Sequence, residues 1–283
     1  MQPQPYGPTG AMTTKIGLGG AFLTATSFTD GVATVRRALE LGVRYFDTSP
    51  MYCHGASQAV LGEALAGVTQ EHLLATKLGY FAEPAVSLCG SACYTIRREP
   101  AAPAAQRIDT LQLHEADFHH WWSTDDTVQG RLQADVQYNF ADAPALETLR
   151  TLKAQGRCRF IGISGNTADN MRRVLENVEV DTFLLAFNYD LIRRGAREVL
   201  PIAKEKGCVK LVGAIFQRGL ATVQPELLEH PPQWMSAELV VRYRQIYALQ
   251  RESGISLAEM GVDILLLNPM LIRLLSVPKF LRK

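Results

Sequence analysis

Four side chains have the types needed to move a proton to or from a carbonyl oxygen: Asp47, Tyr52, Lys77 and His114. A tyrosine hydroxyl is a weak acid, with an ordinary pKa of about 10. An ammonium group beside it stabilises the phenolate and lowers that value. A carboxylate beside the ammonium keeps it charged and in place, and an imidazole can hold a carbonyl oxygen against the phenol. Such a set is a general acid when a carbonyl becomes an alcohol, and a general base in reverse. No side chain supplies a hydride, so the chemistry requires a cofactor. Each residue also has an ordinary reading: Asp47 as a turn cap, Lys77 as a surface lysine, His114 as a satisfied buried histidine.

The elements that carry these residues favour the joint reading. Short apolar runs at 43–46, 73–76 and 108–113 end at Asp47, Lys77 and His114, and Tyr52 lies five residues beyond Asp47 on the same loop. Further runs at 16–20, 159–163, 181–185, 209–214 and 271–277 bring the expected strands to eight. Helical periodicity fills most of the intervals. Residues 30–41 place Val32, Val35 and Leu39 on one face, and residues 193–206 repeat Ala196, Val199, Leu200 and Ala203 before Gly207 ends the helix. Helices are also expected at 57–66, at 143–154 with Asp142 as cap, and after Thr167 as cap. Two more are expected at 236–252 and from the capping box Ser256-Leu257-Ala258-Glu259.

This alternation leaves two architectures, an open doubly wound sheet or a closed (β/α)8 barrel. No G-x-G-x-x-G stands on a strand-to-helix turn, and Gly17, Gly19 and Gly20 read as close packing. The expectation is a single α/β domain, a (β/α)8 TIM barrel over residues 14–283, preceded by a flexible Pro- and Gly-containing segment at 1–13. In such barrels chemistry collects where strands end, which is where the four polar residues fall.

Composition narrows the function classes. Of 283 residues, 47% are hydrophobic and 20% charged, an ordinary globular balance. Lys and Arg number 29 against 28 Asp and Glu, so no basic excess points to nucleic acid or an anionic membrane. The apolar stretch 261–277 is broken by Asp263, Asn268, Pro269 and Arg273, and the N-terminus lacks the apolar core of a secretory signal. Five cysteines include no C-x-x-C; Cys89 and Cys93 stand alone as a pair, and free thiols in a reducing cytoplasm are expected rather than a metal site.

The sequence resembles the aldo-keto reductases. The resemblance is carried by Gly42-Val43-Arg44-Tyr45-Phe46-Asp47-Thr48-Ser49-Pro50-Met51-Tyr52, by Gly55-Ala56-Ser57 through Leu61-Gly62-Glu63-Ala64-Leu65, by Ala75-Thr76-Lys77, and by Leu111-Gln112-Leu113-His114. It spans roughly residues 14–277 and is closer to the branch of sugar and pyridoxal dehydrogenases than to aldose reductase. It implies a (β/α)8 barrel, NADP(H) at the strand C-termini with NAD possible, and reversible reduction of a small aldehyde, ketone or sugar. Tyr52 is then the acid/base, Lys77 lowers its pKa, Asp47 pairs with Lys77, and His114 orients the carbonyl. The Ser164 and Asn166 of Gly162-Ile163-Ser164-Gly165-Asn166, with Asn188, would contact the nicotinamide amide. Phe216 would stack on the ring, Arg218 would approach the pyrophosphate, and Lys279 the 2′-phosphate.

The sequence departs from that pattern at two places. Val277-Pro278-Lys279 replaces the glycine turn, and the long last helix that holds the adenosine half is missing, which implies weak grip there and a poorly covered, mobile last strand. Glu99-Pro100-Ala101-Ala102-Pro103 falls where a helix belongs. The alternative function is then a catalytically weak barrel that senses nucleotide or binds a partner. A long loop, 115–142, carries Phe118, His119, His120, Trp121, Trp122 and Tyr138, either as a substrate wall or as anchors of the loop itself.

Overall fold

Strand and helix alternate along the chain, and the computed structural model shows what that alternation builds. It describes residues 1–24, 27–79, 108–125, 127–217, 226–231, 233, 235–266 and 271–276. In chain order the elements are β1 (Pro3–Pro5), β2 (Met12–Thr14), β3 (Ile16–Gly19), α1 (Phe28–Glu40), β4 (Tyr45–Asp47), α2 (Ala56–Leu65), β5 (Leu73–Leu78) and β6 (Ile108–Leu113). Then follow α3 (Pro144–Ala154), β7 (Cys158–Gly165), α4 (Ala168–Asn177), β8 (Thr182–Ala186), α5 (Ala196–Glu205), β9 (Val209–Gly213), α6 (Glu226–Glu229), α7 (Ala237–Ser253), α8 (Leu257–Leu266) and β10 (Leu271–Ser276).

Strands β3 to β10 are parallel and close into a (β/α)8 barrel, with β10 bonded to both β9 and β3. Alternate strand residues face inward. The barrel interior holds Tyr45, Leu73, Ala75, Phe160, Leu184, Val209, Leu211 and Ile272. The outward residues pack under the helices, as Val32, Val35 and Ala38 of α1 do with Val60, Leu61 and Ala64 of α2. Gly20 is a close approach: a Cβ there would lie 2.4 Å from Ser57 Oγ and 2.9 Å from the Asp47 carbonyl. Its N–H donates to that carbonyl at 2.7 Å. The close-packing reading of that glycine therefore has a geometric reason.

Residues 1–13, for which flexibility was expected, carry instead a hairpin of β1 and β2. It seats Tyr6 in the barrel interior, fully buried, with its ring 5.6 Å from that of Phe160 and its hydroxyl 3.0 Å from Thr110 Oγ1. Thr13 adds a second tie, its hydroxyl donating to the Arg44 carbonyl at 3.2 Å.

Two expected caps are corrected. Asp142 does not cap α3; the cap residue is Ala143, without a side-chain bond, and the Asp142 carboxylate accepts from Asn139. Thr167 occupies the cap position of α4, but its side chain makes no capping bond. Its own N–H donates to the carboxylate of Asp117, fifty residues away in sequence. Ser236 and Ser256 do cap α7 and α8, accepting from Leu239 and Glu259 N–H.

The 115–142 loop is tied down by its own aromatics. Trp121 and Trp122 are buried and donate their indole N–H groups to the carbonyls of His114 and Ala116. His119 is bonded through one ring nitrogen to Tyr138 Oη and through the other to the Asp125 carbonyl, both at 2.9 Å. From α4, Arg173 donates to the carbonyls of Gln133 and Val136 and lies over the Tyr138 ring. Among the described residues no helix is long and apolar enough to cross a membrane, and no three His, Cys, Asp or Glu side chains group as a metal site. The expected irregular segment at 88–106, Cys89 and Cys93, and the stretch after Ser276 lie outside the described residues.

Candidate active site

The parallel register sets the polar groups side by side at one end of the barrel. Asp47 is the last residue of β4 and pairs with Ala75, which places it beside Lys77 on the neighbouring strand. The Lys77 ammonium bonds the Asp47 carboxylate and donates to the Thr48 carbonyl at 2.9 Å. Both side chains are buried. The ammonium also lies 4.7 Å from the centre of the Tyr52 ring, and the Tyr52 and His114 rings meet edge to face at 5.6 Å. The four residues picked from sequence are thus one contiguous cluster.

Strain collects at this end of the barrel. Cys53, His54, Glu115, Phe187, Ala214 and Gln217 all have φ between 46° and 59° without being glycine. Every one follows a barrel strand. Such backbone costs on the order of 1–3 kcal/mol per residue and persists where the surrounding structure over-determines it.

Electrostatics assign the protonation states. Burial raises the Asp47 pKa, opposed by Lys77. Burial would depress Lys77, but Asp47 and Tyr52 outweigh it and its pKa is raised, so it stays an ammonium. For Tyr52 the sequence-based expectation needs correction. Lys77 does pull its pKa down, by charge and hydrogen bond, yet burial pushes harder and Asp47 adds to it; the net direction is up. Tyr52 is therefore a neutral phenol at physiological pH, a proton donor in waiting. His114 is pushed well below the ordinary histidine range by burial and by the Lys77 charge, so its ring is neutral.

Ser49 is a site residue that the sequence reading passed over. It is fully buried, its Oγ lies 3.1 Å from His114 Nδ1, and it accepts the Met51 N–H at 3.2 Å. Gln112 is another: buried on β6, it extends its Nε2 to 3.5 Å from the second Asp47 oxygen. Both stand within quoted sequence runs, one residue beyond Thr48 and two before His114, but neither type is distinctive enough to be read alone.

The expected nicotinamide contacts lie at the ends of β7 and β8. Asn188 Nδ2 donates to the Asn166 carbonyl at 2.6 Å and to the Ala186 carbonyl at 2.7 Å. Asn166 Nδ2 donates to Glu115 at 2.8 Å. The amide nitrogens of both asparagines are thus engaged, while their side-chain oxygens accept no hydrogen bond among the described residues. An amide NH2 is what such oxygens fit. Ser164 is nearly buried and its hydroxyl donates to the Leu113 carbonyl at 3.1 Å. Phe216 directs its ring edge toward α8, where a Cβ on Gly261 would lie 3.5 Å from it. Arg218 and Lys279 lie outside the described residues.

Comparison with known proteins agrees with this geometry. The aldo/keto reductase family model matches residues 15–268. L-galactose dehydrogenase of Arabidopsis thaliana is 28% identical over 278 residues, covering 93% of this chain and 79% of that protein. Pyridoxal 4-dehydrogenase of Microbacterium luteolum is 26% identical over 248 residues, covering 76% and 70%. The crystal structure of an aldo-keto reductase from Klebsiella pneumoniae in complex with NADPH superposes with a TM-score of 0.63 at 18% identity, covering 98% of this chain and 86% of that one. A barrel of this topology, with an Asp, a Lys, a Tyr and a His gathered at its strand ends and a family match over most of its length, belongs to the aldo/keto reductase family of oxidoreductases.

Proposed function

We propose that the protein interconverts a small aldehyde, ketone or sugar carbonyl and the corresponding alcohol, with Tyr52 as general acid/base and NADP(H) as the preferred nucleotide. The observation that carries this reading is the buried Asp47–Lys77 pair with its ammonium against Tyr52 and His114. The relatives' names support the substrate class, and membership of the aldo/keto reductase family supports a nicotinamide nucleotide.

In the reductive direction the Tyr52 hydroxyl gives its proton to the carbonyl oxygen as that oxygen gains charge. The Lys77 ammonium stabilises the phenolate left behind, and Asp47 keeps the ammonium charged inside a dry site. His114 acts as a donor. Ser49 Oγ accepts the Met51 N–H and lies against His114 Nδ1, and we take its own proton to be donated to that nitrogen. The ring proton of the neutral imidazole then sits on Nε2, where it can hold the substrate oxygen. Asn166 and Asn188 would hold the nicotinamide amide through their side-chain oxygens. The bound nucleotide supplies or accepts the hydride. Oxidation of an alcohol runs the same steps backward and needs the Tyr52 phenolate, which the raised pKa makes scarce at neutral pH.

Titration of the protein with NADPH, followed by quenching of tryptophan fluorescence, tests the nucleotide half of this reading. Binding at micromolar nucleotide together with NADPH consumption on a panel of small aldehydes and sugars is expected. Absence of binding at millimolar NADPH and NADH alike would contradict it.

A further inference from the structure

Asp117 stands three residues beyond His114 in the long loop and is fully buried. One of its carboxylate oxygens gathers donors from two directions. It accepts the backbone N–H of Thr167 at 2.8 Å and of Asn166 at 3.1 Å, and it bonds the Arg131 guanidinium from its own loop. The Asp117 carbonyl accepts the Leu132 N–H at 3.0 Å, which closes the loop back on itself.

The consequence falls on Asn166. Its N–H is held by Asp117, its carbonyl by Asn188 Nδ2, and its side-chain Nδ2 by Glu115. Three of its four polar groups are fixed, and the fourth, the side-chain oxygen, accepts no hydrogen bond among the described residues. The fit at Gly165 is close: a Cβ there would lie 2.3 Å from Met171 Sδ and 2.9 Å from the other Asp117 oxygen. The Thr167 contact holds the residue before α4. The Asn166 contact reaches one residue further, into the strand end that carries the amide contact.

We propose that Asp117 is a positioning residue for the nicotinamide end of the nucleotide, acting through Asn166, and that the Asp117–Arg131 pair couples that end to the 115–142 loop. This rests on the oxidoreductase reading above. Asp117 touches neither substrate nor nucleotide; it holds the Asn166 backbone in place, and Glu115 turns the side chain.

The test compares two ligands on the full chain. NADPH carries the nicotinamide, whereas adenosine 2′,5′-bisphosphate represents the adenosine half alone. In Asp117→Ala, the Kd for NADPH is expected to rise about tenfold or more, since misplacement of one contact by an ångström has effects of that order. The Kd for the bisphosphate should stay within about twofold, by the same reasoning. Asp117→Asn keeps an oxygen for the two backbone donors and should recover most of the NADPH affinity. Arg131→Met, a change at a half-exposed side chain, withdraws the guanidinium from the carboxylate and should show the same selective loss, smaller in size, if Asp117→Ala does not fold. Equal loss of both ligands, or of neither, overturns the assignment. A wild-type protein that binds neither ligand overturns the oxidoreductase reading beneath it, a result distinct from selective failure in the variants.

Discussion

At the residue scale the site is a contest between burial and charge, and burial prevails at Tyr52. The sequence shows which groups meet, since Asp47, Lys77 and His114 each follow an apolar run and Tyr52 lies on the loop after Asp47. It does not show how dry the meeting place is, and so the sign of the Tyr52 shift was not legible there. The structure makes Tyr52 an acid whose proton is retained well past neutral pH. Reduction should therefore proceed at a rate independent of pH through the neutral range and fall only above the ordinary tyrosine pKa of about 10. Alcohol oxidation should climb toward alkaline pH over the same interval. The neutral His114 adds no inflection near 6.5. Lys77→Met removes the influence that lowers the Tyr52 pKa, so the alkaline limb of the oxidation profile should move to still higher pH. The same change strands the buried Asp47 carboxylate, at a stability loss of about 3–5 kcal/mol. Steady-state rates across pH, with a thermal melt of each variant, check both effects.

At the element scale most of the barrel was legible because periodicity is local. The expected helix at 193–206 and the observed α5, or the expected strand at 108–113 and β6, differ by three residues or fewer at each end. What escaped is non-local. Nothing near Thr167 in sequence says that a carboxylate from another loop accepts its N–H, and nothing in a run of Pro, Gly and Gln says that Tyr6 enters the barrel. For the 115–142 loop the sequence left two roles open for its aromatics, and the contacts support anchoring. Arg173 is the clearest tie, with two carbonyls accepting from it and two rings, Tyr138 and Phe140, beneath it. Arg173→Ala should lose about 1–3 kcal/mol from those bonds and the cation–π contact. Limited proteolysis should then show earlier cleavage within 115–142, and equal cleavage rates in both proteins would show that the loop is held by other means.

At the scale of the whole molecule the barrel separates stability from chemistry. The strand C-termini carry the tetrad and the strained backbone, while the opposite end is filled by the N-terminal hairpin. The last strand is bonded along both edges, to β9 and to β3. Tyr6 gives the division a test. Its ring lies 5.5 Å from Tyr45 and its hydroxyl bonds Thr110, below Asp47 on the inside of the barrel. Tyr6→Ala removes a fully buried aromatic and should cost about 3–5 kcal/mol. Tyr6→Phe loses only the hydrogen bonds, about 1 kcal/mol. Calorimetric melts should rank wild type, Tyr6→Phe and Tyr6→Ala in that order, with turnover of the folded protein at 25 °C nearly unchanged. Loss of turnover in folded Tyr6→Phe would mean that the two ends are coupled.

The most direct test of the proposed chemistry is turnover by Tyr52→Phe, measured beside its affinity for NADPH. The phenylalanine fills the same space and keeps the packing against His114, but has no proton to give. Reduction should slow by about 10²–10⁴-fold, the usual contribution of a positioned general acid, while the Kd for NADPH stays as in the wild type. Wild-type turnover in this variant would contradict the role assigned to Tyr52 and the account of the site built around it.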